Sequence, residues 1–259
     1  MYADDFILYS SGSSAVEVCR KIQGGINNAS SWALQHGFKF SIQKTKAIRF
    51  SRLRRREEIP TLFLSGQILP YEEEVKYLGM ILDKKLNFNA HINNLVVTVK
   101  QRLNILKVVS NFDWGADRTT LLRIYTSLCL SKLEYGCQIY GSACKTTLQK
   151  LDVVHNLAIR ICTGAYRTSP VDSLYVESGI RPLSLRREEL GLRYMARILT
   201  SKLNPNYKYV ERPIDRAMNR PRLPRPLEVR LEDGAREVCG AYSFCYFSFK
   251  YLPHKELNL

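Results

Sequence analysis

The hydrophobic period changes near residue 85, and this change limits the chain to a fold that keeps sheet and helix in separate stretches. Before it, short apolar runs alternate with turn residues. Leu62-Phe63-Leu64-Ser65-Gly66-Gln67-Ile68-Leu69 reads as a β-hairpin with Ser65-Gly66 at its turn. Residues 75–82 read as a further extended stretch, interrupted by Gly79. Residues 6–9, 38–41 and 47–50 read as short strands, the last two flanking a turn that holds Lys44. One helix belongs to this region. Ser14 and Glu17 have capping-box spacing, and Val18, Ile22, Ile26, Ala29 and Ala33 share a face. Gly37 is its stop, and Gly24-Gly25 weakens its middle.

After residue 85 the apolar spacing becomes helical. Asn89 is expected to cap a helix carrying Ile92, Leu95, Val96, Val99, Leu103 and Leu106. Asp117 is expected to cap a second, with Leu121, Ile124, Leu128 and Leu133 inward. A third starts near Thr147, buries Leu148, Leu151, Val154, Leu157, Ala158 and Ile161, and ends at Gly164. A fourth starts near Ser184 with Leu185, Leu192, Met195 and Leu199. Past Asn204, prolines and arginines interleave, so this segment is expected to be extended and poorly packed. The expected class is α+β.

Charge narrows the choice of partner. Lys and Arg number 39 against 24 Asp and Glu, a balance of +15 that points to a polyanion, nucleic acid first and an anionic membrane surface second. A merely soluble basic protein is the plainer reading. With 45% hydrophobic residues the chain carries enough apolar material for a core. Seven cysteines, none in a Cys-x-x-Cys pair, suit reduced thiols and an intracellular location, nuclear or cytoplasmic. Cys129, Cys137, Cys144 and His155 are too irregularly spaced for a zinc site, and Cys129 and Cys162 are expected to be small buried residues. No transmembrane span, secretory leader or long repeat is expected.

The chemistry centres on Asp4-Asp5, which follow Tyr2-Ala3 and precede the apolar run Phe6-Ile7-Leu8-Tyr9. Adjacent acids are common in solvated turns. At a tight bend between strands, alternation instead sends the two carboxylates in different directions, and the pair suits a hard divalent ion such as Mg²⁺. The run Lys44, Lys46, Arg49, Arg52, Arg54, Arg55 and Arg56 is dense in charge and free of acids, and Lys100, Arg102 and Lys107 lie on one helix. Such groups neutralise phosphates without reading sequence, although a run of charge is more often a solvated face.

Tyr2-Ala3-Asp4-Asp5 resembles the catalytic box of reverse transcriptases from non-LTR retrotransposons of the jockey type. Further blocks follow in the family's order. Gly37-Phe38-Lys39-Phe40 leads to Lys44-Thr45, Tyr77-Leu78-Gly79 is similar to the primer-grip hairpin, and Leu86-Asn87-Phe88 continues to the thumb helix. Tyr135-Gly136-Cys137-Gln138-Ile139-Tyr140-Gly141 resembles a Tyr-Gly block in which Tyr140 stands where Trp is usual. A helix with Val154, His155, Asn156 and Arg160 comes next, then the Gly164-Ala165 turn. The resemblance covers about residues 2–200.

The resemblance implies a partial polymerase palm over residues 1–85, a thumb-like helix over 86–112 and a helical extension over 113–204, while residues 205–259 read from composition as a basic, proline-rich tail. It implies that Asp4 and Asp5 hold two Mg²⁺ ions for nucleotidyl transfer and that Lys44 steadies the departing pyrophosphate. Tyr77, Leu78 and Gly79 would grip the primer, with Leu78 packed inward. RNA template, DNA primer and dNTP would be the partners, with no membrane. The third metal-binding aspartate and the fingers lie upstream of the box in this family. The 259 residues are therefore expected to be the C-terminal portion of a longer polymerase, inactive alone. The alternatives are a non-catalytic nucleic-acid binder and a pseudogene product.

Overall fold

The computed structural model describes residues 6–12, 14–51, 59–111, 113–204, 206–207 and 257–258. The chain divides after Leu86 into two compact units, the first mixed and the second helical. The α+β class holds.

In the first unit α1 spans Ala15–Gln35 and buries Val18, Cys19, Ile22, Ile26 and Ala33, the expected face, with Ala29 half-buried. The capping box does not form. Ser14 has the extended backbone of an N-cap, but its side chain makes no capping bond. Glu17 pairs instead with Lys21 one turn on, at 2.8 Å. An acid four residues before a base is the favourable order on a helix, and it occupies the carboxylate the box would need. Gly24-Gly25 leaves the helix unbroken. Leu8 lies against α1 at Gly25, where an added Cβ would meet Leu8 Cδ2 at 3.4 Å, an ordinary contact distance.

The end of α1 is a Schellman turn. Gly37, at φ 74°, donates to Leu34 O, and Phe38 donates to Ala33 O at 2.8 Å. The chain reverses there into β1, Lys39–Phe40, which pairs antiparallel with β6, Leu257–Asn258.

Two hairpins follow. β2 (Leu62–Leu64) pairs with β3 (Gln67–Leu69), and β4 (Glu74–Tyr77) with β5 (Met80–Asp83). Both loops have two residues with positive φ, Ser65-Gly66 and Leu78-Gly79, the type I′ geometry whose twist matches paired strands. The Gln23 side-chain amide of α1 grips the middle of β2: its Nε2 donates to Phe63 O and its Oε1 accepts from Phe63 N, both at 2.9 Å. Leu62, Leu64 and Leu69 pack on Val18, Ile22 and Ile26, with Leu8, Phe40, Ile42, Ile59 and Tyr71 around them.

Two expected strands are not strands. Residues 6–10 pair with no other described residue, although Leu8 joins the core. Residues 47–50 contribute one parallel bridge, Ala47 to Tyr71. Ser51 N donates to Lys84 O at 3.0 Å, so this segment ties the two hairpins together without a ladder of its own.

The second unit is built on α2, Asn89–Val109, and α6, Lys145–Thr163, which lie side by side. Thr147 Oγ1 donates to Asn89 Oδ1 and Lys150 Nζ to Asn93 Oδ1, each at 2.9 Å. Since both numbers rise together, the helices run the same way. Asn89 is the first helical residue rather than the cap, which is Phe88 at φ 59°. Asp117 does cap α3 (Arg118–Tyr125), accepting from the backbone N–H of Thr119 at 2.9 Å and Thr120 at 3.3 Å and from the Thr120 hydroxyl at 2.6 Å. A π-turn, Thr126–Leu130, then leads into α4, Ser131–Glu134. Its extra residue shifts the inward stripe to Leu121, Tyr125, Cys129, Leu130 and Leu133, leaving Leu128 exposed and Ile124 half-buried.

Gly136, at φ 69°, turns the chain into α5, Cys137–Tyr140. α6 stops at Gly164, as expected, and buries Leu148, Leu151, Val154 and Ala158, while Leu157 faces outward. α7, Val171–Ser178, packs on α6 and had no clear stripe in the sequence. α8, Leu183–Leu199, buries Leu183, Gly191, Met195 and Ile198. Of the four residues expected inward on this helix, Leu185, Leu192 and Leu199 are exposed. Apolar residues occupy both sides of α8, so the pattern alone does not choose between them. Arg186 of α8 clamps Glu134 of α4 with Nε at 2.5 Å and Nη2 at 3.1 Å, and its Nη1 holds Glu189 at 2.9 Å. This ties down the side that faces the bundle.

Candidate functional site

Asp4 and Asp5 lie outside the described residues, as do Arg52, Arg54, Arg55 and Arg56 and nearly all of the tail after Asn204. The chain just after the two aspartates is described. Phe6 stands 6.1 Å, ring centre to centre, from Phe40, and Leu8 is in the core, while Tyr9 is exposed. Of the four residues expected to anchor the acidic turn, Phe6, Ile7 and Leu8 are half-buried and Tyr9 is not.

Lys44 is exposed in the turn between β1 and the Ala47 bridge. The turn is closed by Thr45, a buried residue whose N–H and hydroxyl both donate to Ser41 O, at 3.1 and 2.7 Å. A buried, doubly bonded threonine after an exposed lysine fixes the lysine's backbone in the turn. Lys46 reaches Glu72 at 3.4 Å, and Arg49 is half-buried.

Tyr77, Leu78 and Gly79 form the tip of the β4–β5 hairpin. Tyr77 faces Met80 in register across the turn. Leu78 takes φ 44°, a left-handed conformation costly for a side chain with a Cβ, and Gly79 takes φ 77° at no such cost. Leu78 is half-buried at the turn rather than packed inward on a strand.

On α2, Lys100 and Lys107 are exposed and Arg102 is half-buried. Arg102 Nη1 donates to Leu128 O in the π-turn, so this guanidinium braces the bundle. Lys100 and Lys107 lie seven residues apart, two turns along one side of the helix.

The helical unit also buries polar side chains. His155 and Tyr125 are buried, with the Tyr125 hydroxyl bonded to His155 Nδ1, and Tyr175 Oη donates to Asn156 Oδ1 at 2.6 Å. Burial lowers His155 to about 4 from the usual 6.5, the Arg181 backbone pulls the other way, and Arg187 adds to the lowering. His91, buried 5.4 Å from the Tyr140 ring, is likewise lowered to about 4 by burial, with Lys132 adding to it. Both rings are neutral at pH 7 and serve the core. Tyr140 donates its hydroxyl to Leu133 O, which gives a tyrosine at this buried position a bond for its one polar atom.

Cys129, Cys137 and Cys162 are buried and Cys144 is exposed. Burial pushes Cys137 up to about 11 and Cys162 to about 12. Among the described residues no group of three or more His, Cys, Asp or Glu side chains gathers to hold a metal ion. No helix among them is long and apolar enough to cross a membrane.

One surface escaped the sequence reading. Trp32 stacks on His36 with ring centres 4.7 Å apart and on Phe38 at 6.0 Å, at the end of α1. Its signal in the sequence is Trp32 and His36, one turn apart, just before Gly37 and Phe38.

The chain is 25% identical over 211 residues to the RNA-directed DNA polymerase from mobile element jockey of Drosophila melanogaster, covering 79% of the chain and 22% of that protein. It is 27% identical over 164 residues to its counterpart in Drosophila funebris, covering 63% of the chain and 18% of the relative. It is also 27% identical over 195 residues to the putative 115 kDa protein in type-1 retrotransposable element R1DM of Drosophila melanogaster, covering 74% and 19%. The chain thus spans about a fifth of the length of these curated relatives. No family model matches the chain, and no solved structure does.

Proposed function

We propose that this chain is part of an RNA-directed DNA polymerase of a non-LTR retrotransposon, and that it carries the polymerase's acidic box, primer-grip hairpin and thumb. The observation behind this is the similarity over 79% of the chain to a jockey polymerase. Similarity of that length takes in more than either compact unit alone. In this reading Asp4 and Asp5 supply hard oxygen ligands suited to Mg²⁺, which in the intact enzyme would activate the primer hydroxyl and steady the leaving pyrophosphate. Lys44 presents a cation for the pyrophosphate, and the Tyr77–Leu78–Gly79 tip lies along the primer strand. Lys100 and Lys107 neutralise backbone phosphates of the template–primer duplex, RNA template with DNA primer.

In the family resembled, a third carboxylate is required beside this pair. We therefore expect the 259 residues alone to leave a primed RNA unextended when Mg²⁺ and dNTPs are supplied. Extension that disappears in Asp4→Ala would overturn that expectation and assign activity to the chain itself.

A second reading, a basic nucleic-acid binder without catalysis, is favoured by the +15 charge. Both readings require binding of a primed RNA that weakens steeply with salt. Replacing Lys100 and Lys107 together by alanine should reduce the slope of log K against log salt by roughly 2. An affinity indifferent to salt would remove both readings.

A further inference from the structure

We propose that the end of α1 is a stacking platform for unpaired nucleobases, built from Trp32, His36 and Phe38, with Lys39 next in the chain. The proposal rests on the nucleic-acid reading above and adds a site to it.

The platform is assembled from bonds within the chain itself. The Schellman turn fixes Phe38, because its N–H is bonded back to Ala33 O. His36 Nδ1 sits 2.8 Å from Trp32 O, which sets the imidazole over the indole. The planes lie within 29° and 27° of the indole, so the three rings form one short stack. A hydrophobic contact between the residue after the glycine and the last turn commonly accompanies this cap, and Trp32 with Phe38 supplies it. That explains the contact but not the exposure. Trp32 keeps 45% of its surface open, and His36 and Lys39 are exposed. An aromatic group that only closed a cap would gain more by burial.

The charge of the surrounding sequence selects the occupant. From Val18 to Arg56 the sequence has no Asp or Glu and ten Lys or Arg. Among the described residues, Lys21 pairs with Glu17 and Lys46 with Glu72. An aromatic stack inside an acid-free basic stretch suits a polyanion that carries flat rings, which is single-stranded nucleic acid. Stacking is tolerant of base identity, so the platform would hold a strand without selecting its sequence.

The test uses the full chain with Trp114→Phe, which leaves Trp32 as its one tryptophan. It is titrated with an oligoadenylate of about 16 nucleotides and with an abasic oligomer of equal length and charge. The proposal expects Trp32 fluorescence to be quenched by the oligoadenylate and unchanged by the abasic strand. It also expects Trp32→Ala and Trp32→Leu to bind the oligoadenylate about tenfold more weakly, with Trp32→Phe close to the parent. The quenching arm leaves Trp32 intact, so it decides even where a substitution unfolds the chain. Salt-sensitive binding of both oligomers with Trp32 silent would overturn the platform and leave the nucleic-acid reading standing. Failure to bind either oligomer would overturn both. Self-association that Trp32→Ala abolishes, with no response to bases, would overturn the platform in favour of a protein contact.

Discussion

Asp117 shows how much one side chain can settle. Its carboxylate meets two backbone N–H groups and one hydroxyl at the start of α3, and these bonds hold it below the usual carboxylate range, the Thr120 hydroxyl first. A depressed carboxylate contributes stability that is present above its unfolded value and is lost as pH falls through the folded one. Asp117→Ala removes the cap, and the Tm of the chain should fall by a few degrees in a thermal melt followed by circular dichroism. Asp117→Asn, which keeps an acceptor, should fall less. Ser14 had the same sequence credentials, yet its side chain makes no capping bond, and the Glu17 carboxylate that would complete the box is held by Lys21. Caps were legible as positions, but not which of them closes.

At the scale of elements, the two hairpins make an instructive pair. Each has a two-residue loop ending in glycine with both residues at positive φ, but one begins with Ser65 and the other with Leu78. Serine is a common turn residue, whereas a leucine there opposes the turn. Replacing Leu78 by asparagine should stabilise the chain by about 1 kcal/mol, seen as a higher urea midpoint. A lower midpoint would show that the half-buried leucine contributes more through its contacts than the turn loses.

The Ser65-Gly66 loop was readable because alternation and turn chemistry agree. β4–β5 was read as one interrupted stretch, because Leu78 hid the turn. The third helix and its Gly164 stop were readable from spacing. The π-turn was not, since its extra residue moves Leu128 outward without any composition signal. Nor was the inward side of α8, which depends on the Arg186–Glu134 pair, a contact between residues 52 apart in sequence. The candidate site divides in the same way. The sequence pointed to Lys44 and to the 77–79 tip but not to the aromatic stack of α1, whose rings are gathered by the Schellman turn.

For the molecule as a whole, the buried histidines set a pH response. His91 and His155 sit at about 4 when folded and would return to 6.5 when unfolded. Between those values the unfolded chain binds more protons, so stability falls as pH drops from 6.5 toward 4 and is unaffected by these groups above 6.5. Each contributes roughly 3 kcal/mol at the acid end of that window. Urea midpoints measured from pH 7 down to 4.5, where most exposed carboxylates are still charged, should decline across the range. His91→Gln should flatten the decline, and a profile unchanged by that replacement would remove His91 as a cause.

The grip of Gln23 on Phe63 reaches beyond the hairpin it holds. In a three-residue strand whose first and last residues are turned toward β3, the outward hydrogen-bonding groups belong to the middle residue. At Phe63 the glutamine amide takes both of them. A polypeptide amide is thus imitated by a side chain, and no further strand can add at that border. A small sheet in a basic chain is thereby closed on one side to recruitment into aggregates, by a residue that belongs to a helix.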